Sequence, residues 1–229
     1  EKQSLSEIAP HNMVTNKVSK EDMTWLYEHK FVAQADVRAM YYDKIFVSTN
    51  GICPVCCLGQ VGNLDHYLPK SLYPTYAVTP YNLIPICRDC NHTKNDRNFD
   101  KISDATLHPY YDNADDIIWL KANLIIKDGG LVASYFVDEK ISTENKLLLQ
   151  RCVVHFKTYK LNNRYAIEAA REISEKQRRW KTNLEKWGKE KFVNSINEEI
   201  ADLESMHKNS WKAALYRALA EDVNILNLI

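Results

Sequence analysis

Four cysteines set in two C-x-x-C pairs constrain this chain more than anything else in it. The first pair is Cys53-Pro-Val-Cys56 and the second is Cys87-Arg-Asp-Cys90. A C-x-x-C knuckle delivers two thiolates from one tight turn, and two knuckles complete the tetrahedral four-sulfur set that zinc prefers. Buried or disulfide-bonded cysteine is the competing reading, and the paired spacing favours a structural zinc over it. Cys57 leaves a second register open, Cys53 with Cys57; Cys56 is preferred because it repeats the spacing of Cys87 and Cys90. A zinc closed by four sulfurs has no open position, so it holds the fold and does no chemistry. Six cysteines, four of them in zinc spacing, also point to a reducing compartment and not to a secreted disulfide scaffold.

Between and just after the knuckles lie groups suited to a reaction. The sequence reads Leu64-Asp65-His66-Tyr67-Leu68-Pro69-Lys70-Ser71, and later Asn91-His92-Thr93-Lys94-Asn95. Asp65 offers hard carboxylate oxygen, the donor that magnesium or manganese takes. His66 can be neutral near pH 7 and able to accept a proton from water. Asn91 and Asn95 are four apart, so a helix would put both amides on one face. Each has a plainer explanation alone: a turn aspartate, a packed imidazole, a helix-capping asparagine. Their order along the chain is harder to explain that way.

C-P-V-C, D-H-Y-L-P-K-S, N-L-I-P-I-C and C-N-H-T-K together resemble the HNH nucleases, the ββα-metal superfamily, over about residues 51 to 98. The resemblance assigns the motif positions to His66 with Asp65, to Asn82 and to Asn91. It implies a catalytic Mg2+ or Mn2+ held by Asp65 and Asn91 with help from Asn95, a loop held by Asn82 so that His66 is oriented, and products with a 5′ phosphate. Many relatives carry His directly after the last zinc cysteine, where this chain has Asn91; His92 is therefore a rival ligand. With His108-Pro-Tyr-Tyr-Asp112 downstream, the wording is closest to HNH effectors of bacterial anti-phage defence, which implies an antiviral role beside a partner such as an ATPase.

The rest of the chain supplies the frame. Its 229 residues can bury a real core, and thirty basic residues balance thirty acidic ones, unlike the basic surplus of a stand-alone nucleic-acid binder. No apolar run approaches membrane-spanning length and the amino end lacks a signal-peptide core, so the expected location is cytoplasmic with no membrane partner. The start at Glu1 instead of Met leaves room for missing upstream residues. Residues 1 to 18 read as an irregular lead-in. Ser19, with Asp22 three places on, forms a capping box for one helix whose apolar stripe runs from Met23 through Tyr27, Phe31, Ala35, Ala39, Tyr42 and Phe46 to about Val47. The predicted core has a strand ending at Asp65-His66, a strand from Asn82 to Ile86, and a helix from near Asn91 to about Asn98. Residues 117 to 137 predict a hairpin turning at Asp128-Gly129-Gly130. From 142 onward the chain is helical, interrupted at Asn162-Asn163 and Gly188, with Ala166, Ala170, Ile173, Gln177, Trp180, Leu184 and Trp187 on one near-heptad face. The expected fold is thus α+β and mostly helical: a lead-in and helix over 1–50, a zinc-stapled HNH core over 51–115, a β-hairpin over 116–141 and a helical bundle over 142–229.

The function expected is a metal-dependent endonuclease acting on phosphodiester bonds, DNA ahead of RNA, with His66 deprotonating water. Lys70, Lys94 and Arg97 are the expected phosphate contacts. The alternative is a non-catalytic zinc-ribbon module that binds nucleic acid or protein. Residues 157 to 191 hold eleven Lys or Arg against five Glu, and the helical region carries Phe156, Trp180, Trp187, Phe192 and Trp211. These predict a docking surface for a protein partner; the alternative is an aromatic core within the chain, with residues 157 to 191 gripping nucleic acid unaided.

Overall fold

The capping box written at Ser19 forms and starts the first helical arm. Ser19 Oγ accepts the Asp22 N–H at 3.2 Å, and the Asp22 carboxylate accepts the Ser19 N–H at 2.8 Å. The structure, a computed structural model, describes residues 5–141 and 145–228, and the chain forms two compact units, 1–112 and 113–229.

In the first unit, β1 (Met13–Thr15) and β2 (Val18–Ser19) pair as a small hairpin where an irregular lead-in was expected. Strands of three and two residues are too short to leave a periodic signal; residues 1–4 of that lead-in lie outside the described residues. The single helix expected through residue 47 is instead two arms. The first is α1 (Lys20–Trp25) widening into a π-helical stretch, Leu26–Val32. The second is α2 (Ala35–Val37), a π-helical stretch Arg38–Tyr42, and α3 (Asp43–Val47). Gln34, with φ −79° and ψ 116°, is extended and makes the break. A straight helix of that length would run about 40 Å and keep the two ends of its apolar stripe apart. The break lets Tyr27 and Phe31 of one arm meet Tyr42 of the other in a cluster with Leu64 and Leu83.

Asn50 and Gly51, with φ 53° and 78°, stop the second arm and turn the chain into the first knuckle. β3 (Asn63–His66) pairs antiparallel with β4 (Leu83–Ile86), so that Asp65 lies opposite Ile84 and His66 opposite Leu83. Every residue of β4 is buried. α4 (Arg88–Lys94) follows directly. It begins three residues earlier than expected because Cys87 is its cap, with Sγ accepting the Cys90 N–H at 3.5 Å. It stops at Asn95, whose φ of 48° cannot continue a helix.

The second unit is built on a hairpin, β5 (Leu120–Lys127) and β6 (Gly130–Val137), that turns through Asp128 and Gly129, both at positive φ. Positive φ at both central residues suits the twist of a two-residue hairpin turn. Leu120, Ala122, Leu131, Ala133 and Tyr135 are buried, the alternation of a sheet covered on one face. The cover comes from α6 (Leu161–Trp187) against β6 and α8 (Trp211–Glu221) against β5; α5 (Lys146–Thr158) precedes them and α7 (Lys189–Met206) packs on α8. The first helical interruption falls at Lys160, with φ 51°, and not at Asn162-Asn163. Asn162 sits inside the first turn of α6 and accepts the Tyr135 N–H at 2.8 Å. The buried stripe of α6 passes through Tyr165 and Ala169 before Ile173, Trp180 and Leu184, which leaves Ala170 exposed. Trp180 and Phe192 are buried in the unit's own core, while Trp187 stays exposed. Residues 142–144, where the helical region was expected to begin, lie outside the described residues. No described helix is long and apolar enough to cross a membrane.

Candidate metal centre and the Asp65–His66 pair

The two knuckles meet. The sulfurs of Cys53, Cys56, Cys87 and Cys90 all lie within 4.8 Å of one another and all four residues are buried. The Cys56 and Cys87 sulfurs are 3.8 Å apart. A tetrahedron with Zn–S bonds of about 2.3 Å has edges of about 3.8 Å, so the spacing is that of a zinc site. Cys57 is outside the set; its φ of 50° turns its sulfur toward the Pro54 carbonyl at 3.9 Å, and the preferred register with Cys56 is the one formed. The thiols share hydrogen bonds, which draw Cys56 down to about 7, chiefly through Cys53, and push Cys53 up. Four adjoining thiolates repel unless a cation neutralises them, and zinc is the ion whose geometry these sulfurs match.

One strand away, β3 delivers Asp65 and His66. His66 is only 7% exposed. Its Nε2 lies 2.8 Å from the Ala77 carbonyl oxygen. A carbonyl only accepts, so the proton sits on Nε2 and the lone pair on Nδ1. Burial, with Lys70 and Lys94 nearby, lowers the ring's pKa to about 4, against the stabilising pull of the Ala77 carbonyl. The edge of Tyr27 meets the ring with centroids 4.6 Å apart.

Asp65 does not stand alone. Lys94 Nζ lies 2.7 Å from its Oδ2 and donates to the His66 carbonyl at 2.7 Å. Burial raises the Asp65 pKa and the Lys94 charge opposes it. Lys94, expected as a phosphate contact, is buried and spent here: as the last residue of α4 it reaches the Asp65 carboxylate and the His66 carbonyl of β3. Lys70 is held by Glu28 at 2.8 Å and lies over the Tyr27 ring at 4.9 Å, so it too is engaged. Arg97 and Asn95 are exposed and Asn91 is half-buried; α4 ends at Lys94, so Asn95, at φ 48° and ψ −143°, does not share a helix face with Asn91 as expected.

Asn82 is buried and works as a clamp. Its Oδ1 accepts the Leu68 N–H at 2.8 Å, and its Nδ2 donates to the Leu68 and Tyr76 carbonyls at 3.0 and 3.2 Å. It therefore ties down the segment leaving His66. His108 is buried against Tyr67, with ring centroids 4.4 Å apart, and belongs to the packing of its loop. The roles of Tyr27 and of the Ala77 carbonyl had no signal in the sequence: one is a member of an apolar stripe, the other a backbone atom.

A mostly helical α+β chain whose amino-terminal unit is closed by a four-cysteine zinc-type cluster is the class that this fold and site define. The chain is 31% identical to Protein ea31 of Escherichia phage lambda over 233 residues, spanning 93% of this chain and 76% of that protein. It belongs to the same family as that phage protein. No family model matches the chain, and no solved structure matches it.

Proposed function

We propose that β3, β4 and α4 form an HNH-type ββα-metal core and that the chain is a metal-dependent endonuclease. The observation that carries this reading is that β3, paired with β4, ends in Asp65 and in a His66 whose Nε2 is committed to Ala77, which leaves Nδ1 as the proton acceptor. Asp65, Asn91 and Asn95 offer only oxygen donors, the set a hard cation takes, and one carboxylate suffices for magnesium when phosphate oxygens and water complete its shell. A bound Mg2+ or Mn2+ would supply charge stabilisation at the phosphate and at the leaving 3′ oxygen. His66 Nδ1 would take the proton of the attacking water, and Asn82 would hold the loop that fixes the ring.

A histidine at about 4 is neutral at pH 7 but a weak base. With Tyr27 against the ring and Lys94 on Asp65, the described conformation is closed. That supports slow cutting by the isolated chain and activation by a protein partner, an ATPase being the one the resemblance implies. The same burial is what favours the second reading, a zinc-stapled binding module with a structural His66.

Incubating the zinc-loaded chain with single-stranded and duplex DNA and with RNA, with magnesium, manganese or neither, separates the two. The nuclease reading expects cleavage that requires added metal and leaves 5′ phosphates. Binding with no cleavage under any metal supports the module.

A further inference from the structure

Beside the Asp65–His66 pair the first unit exposes three tyrosines from two separate stretches. Tyr81 is 66% exposed, Tyr111 55% and Tyr110 37%. The Tyr81 and Tyr111 rings lie 6.1 Å apart at 35°. Scattered exposed aromatics are ordinary, but a ring pair assembled from distant sequence is not. Its mounting is firm. The Tyr111 ring packs on buried His108 at 4.6 Å, and His108 packs on Tyr67. Tyr110 donates its hydroxyl to the Leu83 carbonyl at 2.8 Å, and Leu83 is the strand partner of His66. Tyr81 immediately precedes the Asn82 clamp.

We propose that Tyr81 and Tyr111 form a stacking platform for unpaired nucleobases, which makes single-stranded nucleic acid the preferred ligand of this unit. The charge balance argues for this occupant. Residues 1–112 hold eleven Lys and Arg against thirteen Asp and Glu, and Lys94 and Lys70 are engaged by Asp65 and Glu28. Duplex binding draws its affinity mainly from cations that displace phosphate counterions, and this unit has no surplus to offer. A single strand carries phosphates too, but its unpaired bases expose their π-faces, and stacking them on the tyrosine rings adds affinity that cations do not have to supply. A base stacked there would hold its strand next to β4, on whose partner strand His66 sits. The platform deepens the nuclease reading by naming its substrate class, while base binding itself does not require cleavage.

The test is fluorescence anisotropy of the full zinc-loaded chain with a labelled thymidine 20-mer and with a duplex of the same length, without magnesium or manganese. The platform predicts at least tenfold tighter binding of the single strand and weak dependence on salt. Tyr81→Ala with Tyr111→Ala should weaken that binding tenfold or more with an unchanged melting temperature, and Tyr81→Phe with Tyr111→Phe should restore it. Equal affinity for duplex, an unaltered double alanine variant, or no binding of either probe would each overturn the platform. Tyrosine-dependent binding without cleavage in added metal would keep the platform and remove the nuclease reading. Cleavage without a single-strand preference would do the reverse.

Discussion

The cysteine cluster and the Asp65–His66 dipeptide belong to the same unit, yet they are held in opposite ways. The cluster is four identical donors converging on one point, incomplete without a cation. The pair is already neutralised by the protein: Lys94 answers Asp65, and the Ala77 carbonyl answers His66. A site that lacks its ion cannot hold together, whereas a site that carries its own counter-charge can fold first and act later. This is why the first is expected to govern stability and the second activity.

The largest effect should come from breaking the cluster. Structural zinc in small sites contributes on the order of 10 kcal/mol, comparable to the whole stability of a domain. Cys87→Ser or Cys90→Ser should leave residues 1–112 unfolded, read as loss of zinc by elemental analysis and rapid proteolysis, with about one zinc per wild-type chain. A stable, metal-free, wild-type-like variant would contradict the comparison.

Next comes the internal counter-charge. Lys94→Met leaves Asp65 buried without its partner, which typically costs about 3–5 kcal/mol. If Asp65 also binds a hard cation, added Mn2+ should recover part of the lost melting temperature in this variant and little in wild type. No recovery would mean that Asp65 is a structural acid only.

The pH response is smaller. Folding lowers the His66 pKa from 6.5 to about 4, so between those values the unfolded chain binds more protons than the folded one. Stability is then fully present above about pH 6.5 and falls as pH drops toward 4, by at most about 3 kcal/mol. Denaturant titrations of wild type and His66→Gln across that window should differ in slope. The smallest effect is at the surface: Glu28→Gln breaks an exposed ion pair with Lys70 and should not shift the melting temperature measurably.

The two sites also differ in how far the sequence revealed them. The cysteines were legible because equal spacing and equal chemistry repeat, and spacing is what a sequence records. The hairpin turn at Asp128-Gly129 and the capping box at Ser19 were legible for the same reason, each being a local pattern. The order of Asp65, His66, Asn82 and Asn91 was visible, but their surroundings were not. Lys94 looked like any helix-surface lysine, and nothing local says that its turn lies under β3. The break at Gln34 was hidden because the apolar stripe continues in phase across it. Asn209 shows the limit most clearly. It sits in an ordinary loop sequence, yet it accepts the N–H groups of Trp119 and Leu120 at 2.8 and 3.1 Å and donates to the Ile117 carbonyl at 2.9 Å, joining stretches some ninety residues apart.

The most direct test of the central claim compares the wild-type chain with His66→Ala, both zinc-loaded, on a labelled single strand in magnesium or manganese. Slow metal-dependent cleavage by wild type should fall about a hundredfold to ten-thousandfold in the variant, with zinc content unchanged. Cleavage at the wild-type rate by a folded, zinc-retaining His66→Ala chain would contradict the assignment of His66 as the general base.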